Sequence, residues 1–341
     1  VKSDIPLPFP IPGPSGPVYS ISSFALMLFL AFLSGTLLAG HELKRRGLDP
    51  SVSEWATVLA VFGTLIGARI GYVFEIWDRI WIVTDSVSDT LLHLLLYREG
   101  MGRKVEGAIG LWEALFSRGG LVFYGGLMVS VLFIYLYLRI RRLDILPYAD
   151  VFFMVLALGY GIGRMGCLVS GDGCYGYASS ISLPFFTMVS GPESAMPSAG
   201  VRVWNTPLME ALLSWTLFAW MMWKGRYRAY RPGFFTALFL IWNGLSRFAV
   251  EFLRINDAVI PVLPHPQIAG KPLLHHNHWP TNPEAYYFEN WHWYGFTQSQ
   301  LMGAALFLAG LIWMTRSRLY RVASTQSDPS SACTDKVARE S

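Results

Sequence analysis

Arginine and glutamate recur inside long apolar stretches of this chain, where an ionisable group is costly unless it is paired or wetted. Arg69, Arg164, Glu210, Arg247 and Glu251 each stand within such a stretch, and Arg254 follows directly after one. A charge at the centre of a bilayer costs about 3 kcal/mol or more, so each is a candidate for function. A guanidinium stays charged at any relevant pH and offers a planar fork of donors that matches phosphate oxygens in pairs. Arg247, Glu251 and Arg254 fall on one helical stripe, so Glu251 is placed to hold either arginine in a fixed rotamer. Gly159, Gly161, Gly163 and Gly166 surround Arg164, and Gly171, Gly173 and Gly176 follow. Glycine permits close approach and irregular turns, which are tolerated at membrane depth where they line a cavity. The pattern predicts a polar cavity holding at least two guanidinium groups, with an anionic phospholipid headgroup as the natural ligand. The plainer alternative is that the charges pair with one another and serve folding. Five charges near one depth, beside a glycine-rich turn, favour the cavity.

The elements that must position these residues are membrane helices. The chain has 341 residues, 53% hydrophobic and 15% charged, with a mean hydropathy of +0.38. A soluble domain carries about a quarter charged residues. Seven stretches approach the roughly 20 apolar residues that cross a bilayer: 19–40, 54–76, 119–138, 147–170, 206–223, 233–253 and 298–315. Basic clusters follow the first, third, fifth and seventh, at Lys44-Arg45-Arg46, Arg139 to Arg142, Lys224 to Arg231, and Arg316 to Arg321. The positive-inside rule makes that side cytoplasmic and the N-terminus external. The expected class is therefore an all-α, multi-pass membrane protein. An outer Pro/Gly-rich segment (1–18) precedes a seven-span domain (19–318) with outer loops 77–118, 171–205 and 254–297. A disordered cytoplasmic tail (319–341) follows. At 1.5 Å per residue, Arg164, Arg69 and Arg247 lie ~26, ~22 and ~21 Å from the cytoplasmic starts of their spans. Glu210 lies just below the outer end of its own. The charges therefore favour the outer leaflet, unlike the midplane site and inverted repeats of a transporter. The net charge of +4 is accounted for by membrane orientation, so no nucleic-acid partner is expected.

Three cysteines, Cys167, Cys174 and Cys333, are too few for a disulfide scaffold, and no CxxC pair suggests zinc. Cys167 and Cys174 lie near the outer side, where a disulfide could staple the glycine turn; a reactive thiol at Cys167 beside Arg164 is the other possibility. His275, His276, His278 and His292 cluster in the last outer loop, with no carboxylate or cysteine at ligand spacing, so no metal site is expected. Trp279, Trp291 and Trp293 read as interface anchors.

These residues stand in segments that resemble the bacterial prolipoprotein diacylglyceryl transferases. The glycine-rich signature of that family, of the type GRxGNFxxGE, reads here Gly163-Arg164-Met165-Gly166-Cys167-Leu168-Val169-Ser170-Gly171-Asp172. Further blocks are Gly67 to Tyr72, Gly119 to Gly126, and Phe239 through Arg247, Glu251 and Arg254 to Asp257, with weaker matches at Pro207 to Glu210 and at Gln300. Order and spacing hold from about residue 15 to 318. The resemblance implies transfer of a diacylglyceryl group from phosphatidylglycerol to the lipobox cysteine of a secreted preprotein, with release of glycerol-1-phosphate and without a cofactor. It implies a monomer in the bacterial inner membrane whose partners are phosphatidylglycerol and prolipoprotein signal peptides. It places Arg164 and Arg247 on the headgroup and leaving phosphate, with Glu251 and Arg254 in support and Glu210 orienting the site. Arg69, Gly166, Gly171 and Gln300 complete the substrate-binding set.

The chain departs from the family pattern among groups that handle protons. The family's functional His is Tyr124 here, and phenol, with a pKa of about 10, is a poorer base for a thiol than imidazole. The signature Asn is Cys167, its Glu appears as Asp172, followed by an extra residue, and two family tyrosines are Phe24 and Asn243. Either Asp172 or Glu210 serves as base, or the role is indirect in the family too, or the chain is a lipid-binding paralogue that does not transfer to thiols. If the protein is a transferase, Tyr124→His should leave transfer intact or raise it. A loss of initial rate in that variant would show that the phenol itself contributes something imidazole cannot replace.

Overall fold

The computed structural model describes residues 4–13, 16–75, 123–171, 174–177, 179–189, 202–228, 230–254, 258–262, 267–268, 271–272 and 295–320. Among them are seven helices of at least 18 residues: α1 (Ser23–Arg45), α2 (Ser51–Glu75), α3 (Phe123–Ile140), α4 (Ile145–Ser170), α5 (Thr206–Trp223), α6 (Phe234–Glu251) and α7 (Gln298–Arg316). Each overlaps one of the apolar stretches. By length and apolarity, α1, α4 and the stretch Ser51–Phe74 of α2 can each cross a membrane, and α3 contributes a shorter apolar run, Gly125–Ile140. The protein is thus mostly helical.

Strands modify the all-helical expectation in the segments that join the helices. β1 (Asp4–Gly13) and β2 (Gly16–Ser22) form an antiparallel ribbon, in register from Asp4↔Ser22 to Gly13↔Gly16 with an irregularity between Pro6 and Ile11. This pairing explains why α1 begins at Ser23 rather than Tyr19. Three more two-stranded pairs follow: β3 (Thr187–Val189) with β4 (Arg202–Trp204), β5 (Ala258–Pro261) with β8 (Gly295–Thr297), and β6 (Gln267–Ile268) with β7 (Lys271–Pro272).

The chain divides into two compact units, residues 1–39 with 146–341, and residues 40–145. In the second unit α2 and α3 cross at glycine. A Cβ on Gly67 would collide with the Gly125 carbonyl, and one on Gly63 with the Ser130 backbone. Ser130 Oγ lies within hydrogen-bond distance of the carbonyls of Ala60 (2.9 Å) and Gly126 (2.8 Å), either of which can accept its one proton inside the crossing. The first unit packs α4, α5 and α6 around Met154, Ala157, Leu217, Met221, Phe235 and Phe239. Ser214 Oγ donates to the Ala157 carbonyl at 2.7 Å, and Trp242 Nε1 to that of Leu213 at 2.9 Å. α6 and α7 approach closely where a Cβ on Gly244 would stand 2.5 Å from the Gly303 carbonyl oxygen.

Helix ends are defined by specific caps, which fixes the pitch of the charged residues. Asp49 Oδ1 accepts from Ser51 N at 2.9 Å ahead of α2. Asn205 caps α5 through Leu208 N, with Pro207 in the first turn. α6 starts after Gly233 (φ +97°), which has no side chain to cap it, and the buried Asp150 of α4 does so instead. Asp150 accepts from Gly233 N (2.8 Å), Thr236 N (2.9 Å) and Thr236 Oγ1 (2.9 Å), satisfying donors that the first helical turn otherwise leaves orphaned. Asp150→Ala should therefore destabilise the protein by about 2 kcal/mol, measurable as a lower unfolding midpoint in detergent; an unchanged midpoint would show that α6 does not depend on this cap.

Candidate active site

Within the first unit, α4, α5, α6 and the turn that follows α6 bring five ionisable side chains together, all of them singled out by the sequence. Glu210, in the second turn of α5, lies at the convergence. Its Oε1 accepts from Arg247 Nη1 at 2.5 Å and from Arg254 Nη1 at 3.4 Å. Its Oε2 accepts the Tyr160 hydroxyl proton at 2.5 Å and stands 2.6 Å from Arg164 Nε. Two donors thus face each oxygen, which matches the acceptor capacity of a carboxylate.

Glu251 forms a second anchor. Its Oε2 pairs with Arg247 Nη2 at 2.9 Å and Arg254 Nε at 3.6 Å, so the stripe read from the sequence is realised in space. Oε1 of Glu251 accepts from Thr297 Oγ1 at 3.0 Å. Thr297 in turn belongs to a capping box with Gln300 at the start of α7: Gln300 N donates to Thr297 Oγ1 (3.2 Å), and Thr297 N to Gln300 Oε1 (3.0 Å). Gln300 therefore reaches the cluster through Thr297. Arg247 Nη2 also donates to Ser299 Oγ at 2.9 Å.

The site is rich in positive charge and in donors. Among the described residues, Arg164, Arg247 and Arg254 face Glu210 and Glu251, one more cation than carboxylates. Among the described residues, the buried donors Arg247 Nε, Arg254 Nε and Gln300 Nε2 have no hydrogen-bond acceptor. The side chain of Arg164 is 16% exposed, against 9% or less for the other four, so it is the guanidinium most open to a ligand. An anion that accepts hydrogen bonds on several oxygens suits this arrangement, as a phosphate diester does.

The backbone near the cluster is closely stitched. Gly166, at the buried side of α4, faces α1: a Cβ there would stand 3.2 Å from Met27 Cβ and from the Phe24 ring. Gly171 ends α4 with φ +65° and donates its N–H to the Cys167 carbonyl at 3.1 Å, a left-handed cap that glycine adopts without strain. Gly176 N donates to the Trp204 carbonyl and Tyr177 N to the Leu253 carbonyl, both at 2.9 Å, which ties this segment to the residues flanking Arg254. A Cβ on Gly176 would run into the Leu253 carbonyl. Thr206 Oγ1 donates to the Cys174 carbonyl at 2.7 Å.

Several expectations are corrected or fall elsewhere. Cys167 and Cys174 form no disulfide; Cys167 is buried within α4, and the turn is held by Gly171, Gly176 and Thr206 instead. Arg69, half buried in α2, and Tyr124, at the start of α3, belong to the second unit. Asp172, the side chain of Tyr124, the loop histidines and tryptophans, Cys333 and the loop 77–118 lie outside what the structure describes. Tyr160, Thr297 and Ser299 escaped the sequence reading because none is ionised at neutral pH. Tyr160 had one legible signal: it sits one helical turn before Arg164, on the same face.

Removing the carboxylate at the convergence should be severe, because three buried cations would then share one carboxylate. Glu210→Ala is expected to cost about 3–5 kcal/mol, read by thermal or denaturant unfolding in detergent, and to cost more than Arg254→Ala, whose contact to Glu210 is the longest. A smaller loss for Glu210→Ala than for Arg254→Ala would contradict this hierarchy.

The sequence profile described as prolipoprotein diacylglyceryl transferase matches residues 15–316. A phosphatidylglycerol–prolipoprotein diacylglyceryl transferase of Leptospira interrogans serovar copenhageni is 38% identical over 306 residues, covering 90% of this chain and 92% of the relative. A protein of the same name from Chlorobaculum tepidum (29% over 257 residues, 73% of this chain and 81% of the relative) and one from Clostridium perfringens whose name adds the numeral 2 (28% over 239 residues, 70% and 80%) are also similar. The matched span contains the whole arginine–carboxylate cluster, and the chain belongs to the prolipoprotein diacylglyceryl transferase family.

Proposed function

We propose that this protein transfers a diacylglyceryl group from phosphatidylglycerol to the cysteine thiol of prolipoproteins, releasing glycerol-1-phosphate. The observation that carries this reading is the surplus guanidinium of the buried cluster, in a chain 38% identical over nine-tenths of its length to a protein bearing that activity in its name. The acceptor thiol loses its proton, since thiolate is the nucleophile. Its sulfur attacks the glyceryl carbon bonded to the phosphate oxygen, the C–O bond breaks, and the electron pair leaves on the phosphate. Charge grows on that oxygen in the transition state, where prearranged donors act most strongly in a site that excludes water.

Arg164 and Arg247 hold the headgroup phosphate and stabilise it as it departs. Arg254 and Glu251 hold Arg247 in place, and Gln300 supports Glu251 through the α7 cap. Glu210 has each oxygen engaged by two donors, so its role is to fix the arginines rather than to take the thiol proton. That leaves Asp172 as the carboxylate for proton removal. Gly166 and Gly171 belong to the substrate path by shaping the end of α4, and Arg69 and Tyr124 carry the roles that the family resemblance implies for them. The seven helices each span the bacterial inner membrane in a monomer, with the N-terminus outside and the C-terminus in the cytoplasm. The cluster then faces the outer leaflet, where secreted preproteins present their signal peptides. A relative this similar, named for the transfer itself, does not favour the lipid-binding paralogue without turnover.

The direct test is an assay with purified protein, phosphatidylglycerol and a lipobox peptide, following released glycerol phosphate. Release should require the peptide cysteine, and Arg164→Ala or Arg247→Ala should lower kcat/KM by about 10³-fold. Full activity in Arg164→Ala would sink phosphate stabilisation as the mechanism. Lipid binding without any release by the wild type would favour the paralogue.

A further inference from the structure

Arg247 has both ends of its guanidinium engaged, with Nη1 on Glu210 and Nη2 on Glu251 and Ser299. Arg254 has Nη1 on Glu210 and Nε beside Glu251. Arg164 differs. Its Nε and Nη2 donate to the hydroxyl of Tyr160 at 3.1 and 3.0 Å, and Nε stands against Glu210. A guanidinium carries five N–H donors. The contacts to Tyr160 and Glu210 occupy its Nε side, and the Nη1–Nη2 end is left, the fork that matches two oxygens of one phosphate. Among the described residues no protein acceptor meets Nη1 of Arg164, and this is the most exposed side chain of the five.

We propose that Tyr160 is a positioning residue that locks the Arg164 guanidinium with its Nη1–Nη2 end presented to the headgroup phosphate. This rests on the functional reading above and adds to it a residue that no charge pattern marks. Because two N–H groups of Arg164 point at the phenol oxygen, the phenol has its own proton to give elsewhere, and it gives it to Glu210 at 2.5 Å. The Tyr160 ring lies against the guanidinium, 5.1 Å from its carbon to the ring centroid. Hydroxyl and ring together restrain a side chain that is otherwise among the most flexible, so its rotamer freedom is already lost before the lipid arrives. The one-turn spacing on α4 makes the restraint intrahelical, independent of how neighbouring helices shift.

The test is a double-mutant cycle between Tyr160→Phe and Arg164→Lys, with lipid and peptide kinetics measured separately. Tyr160→Phe keeps the ring and removes the hydroxyl. It should raise the KM for phosphatidylglycerol about tenfold, the worth of a hydrogen bond to a charged group, while the KM for the lipobox peptide stays unchanged. Lysine has no fork to orient, so Tyr160→Phe should add nothing in the Arg164→Lys background. Tyr160→His, which retains a donor and an acceptor, should recover part of the loss, and it carries the same cycle if Tyr160→Phe does not fold to a cooperative unfolding transition. An unchanged KM for the lipid in Tyr160→Phe, or losses that multiply with those of Arg164→Lys, overturns the positioning role alone when the wild type transfers normally. A wild type that neither binds nor turns over phosphatidylglycerol overturns the functional reading and the positioning role with it.

Discussion

The carboxylate of Glu210 has to be buried and ionised at the same time, and that constraint organises the first unit. A lone carboxylate inside a membrane protein would be driven to take up a proton or to draw in water. Here α4 supplies Arg164 and Tyr160, and the end of α6 supplies Arg247 and Arg254. None of these partners is adjacent to Glu210 in sequence. The helices must therefore be correctly placed before Glu210 is compensated, and misplacing one strands its charge. The close contacts around the cluster serve that placement. Gly244 lets α7 approach α6 and bring Thr297 to Glu251, while Asp150 fixes where α6 begins.

The cluster also shows how a site can be rigid and still incomplete. Among the described residues, two carboxylates fix three guanidiniums without neutralising them, so the pairs leave a residual positive charge. Buried ion pairs are weak contributors to net stability because desolvation offsets their attraction. Their value here lies in prearrangement: donors already fixed in place need no reorganisation when charge develops on a ligand. A lipid headgroup is a suitable occupant because its phosphate supplies the missing negative charge while its acyl chains remain among apolar helices.

The resemblance read from the sequence implies an arginine framework kept from the family pattern and several proton-handling positions altered. The structure gives a physical basis for that difference in constraint. Each arginine of the cluster shares a carboxylate with another arginine, so replacing one leaves a buried charge unbalanced and disturbs its neighbours. A single residue that meets only the substrate thiol is free of such coupling and can be exchanged with less structural consequence.

Apolar length, basic connecting segments and the one-turn spacing of Arg247, Glu251 and Arg254 are local or additive properties, and they were legible from the chain alone. So were the helix stretches, because spanning hydrocarbon leaves backbone groups few ways to be satisfied. The strand pairings of the connecting segments were not, since they depend on which two extended pieces meet. Tertiary structure decided that Glu210 joins three arginines, that Gln300 acts through Thr297, and that no disulfide joins Cys167 to Cys174. It also decided that the neutral phenol of Tyr160 meets both Arg164 and Glu210. Sequence marks an ionisable group by its cost in an apolar setting; a neutral donor carries little such cost, and its role becomes visible only when its partners are brought within hydrogen-bond distance.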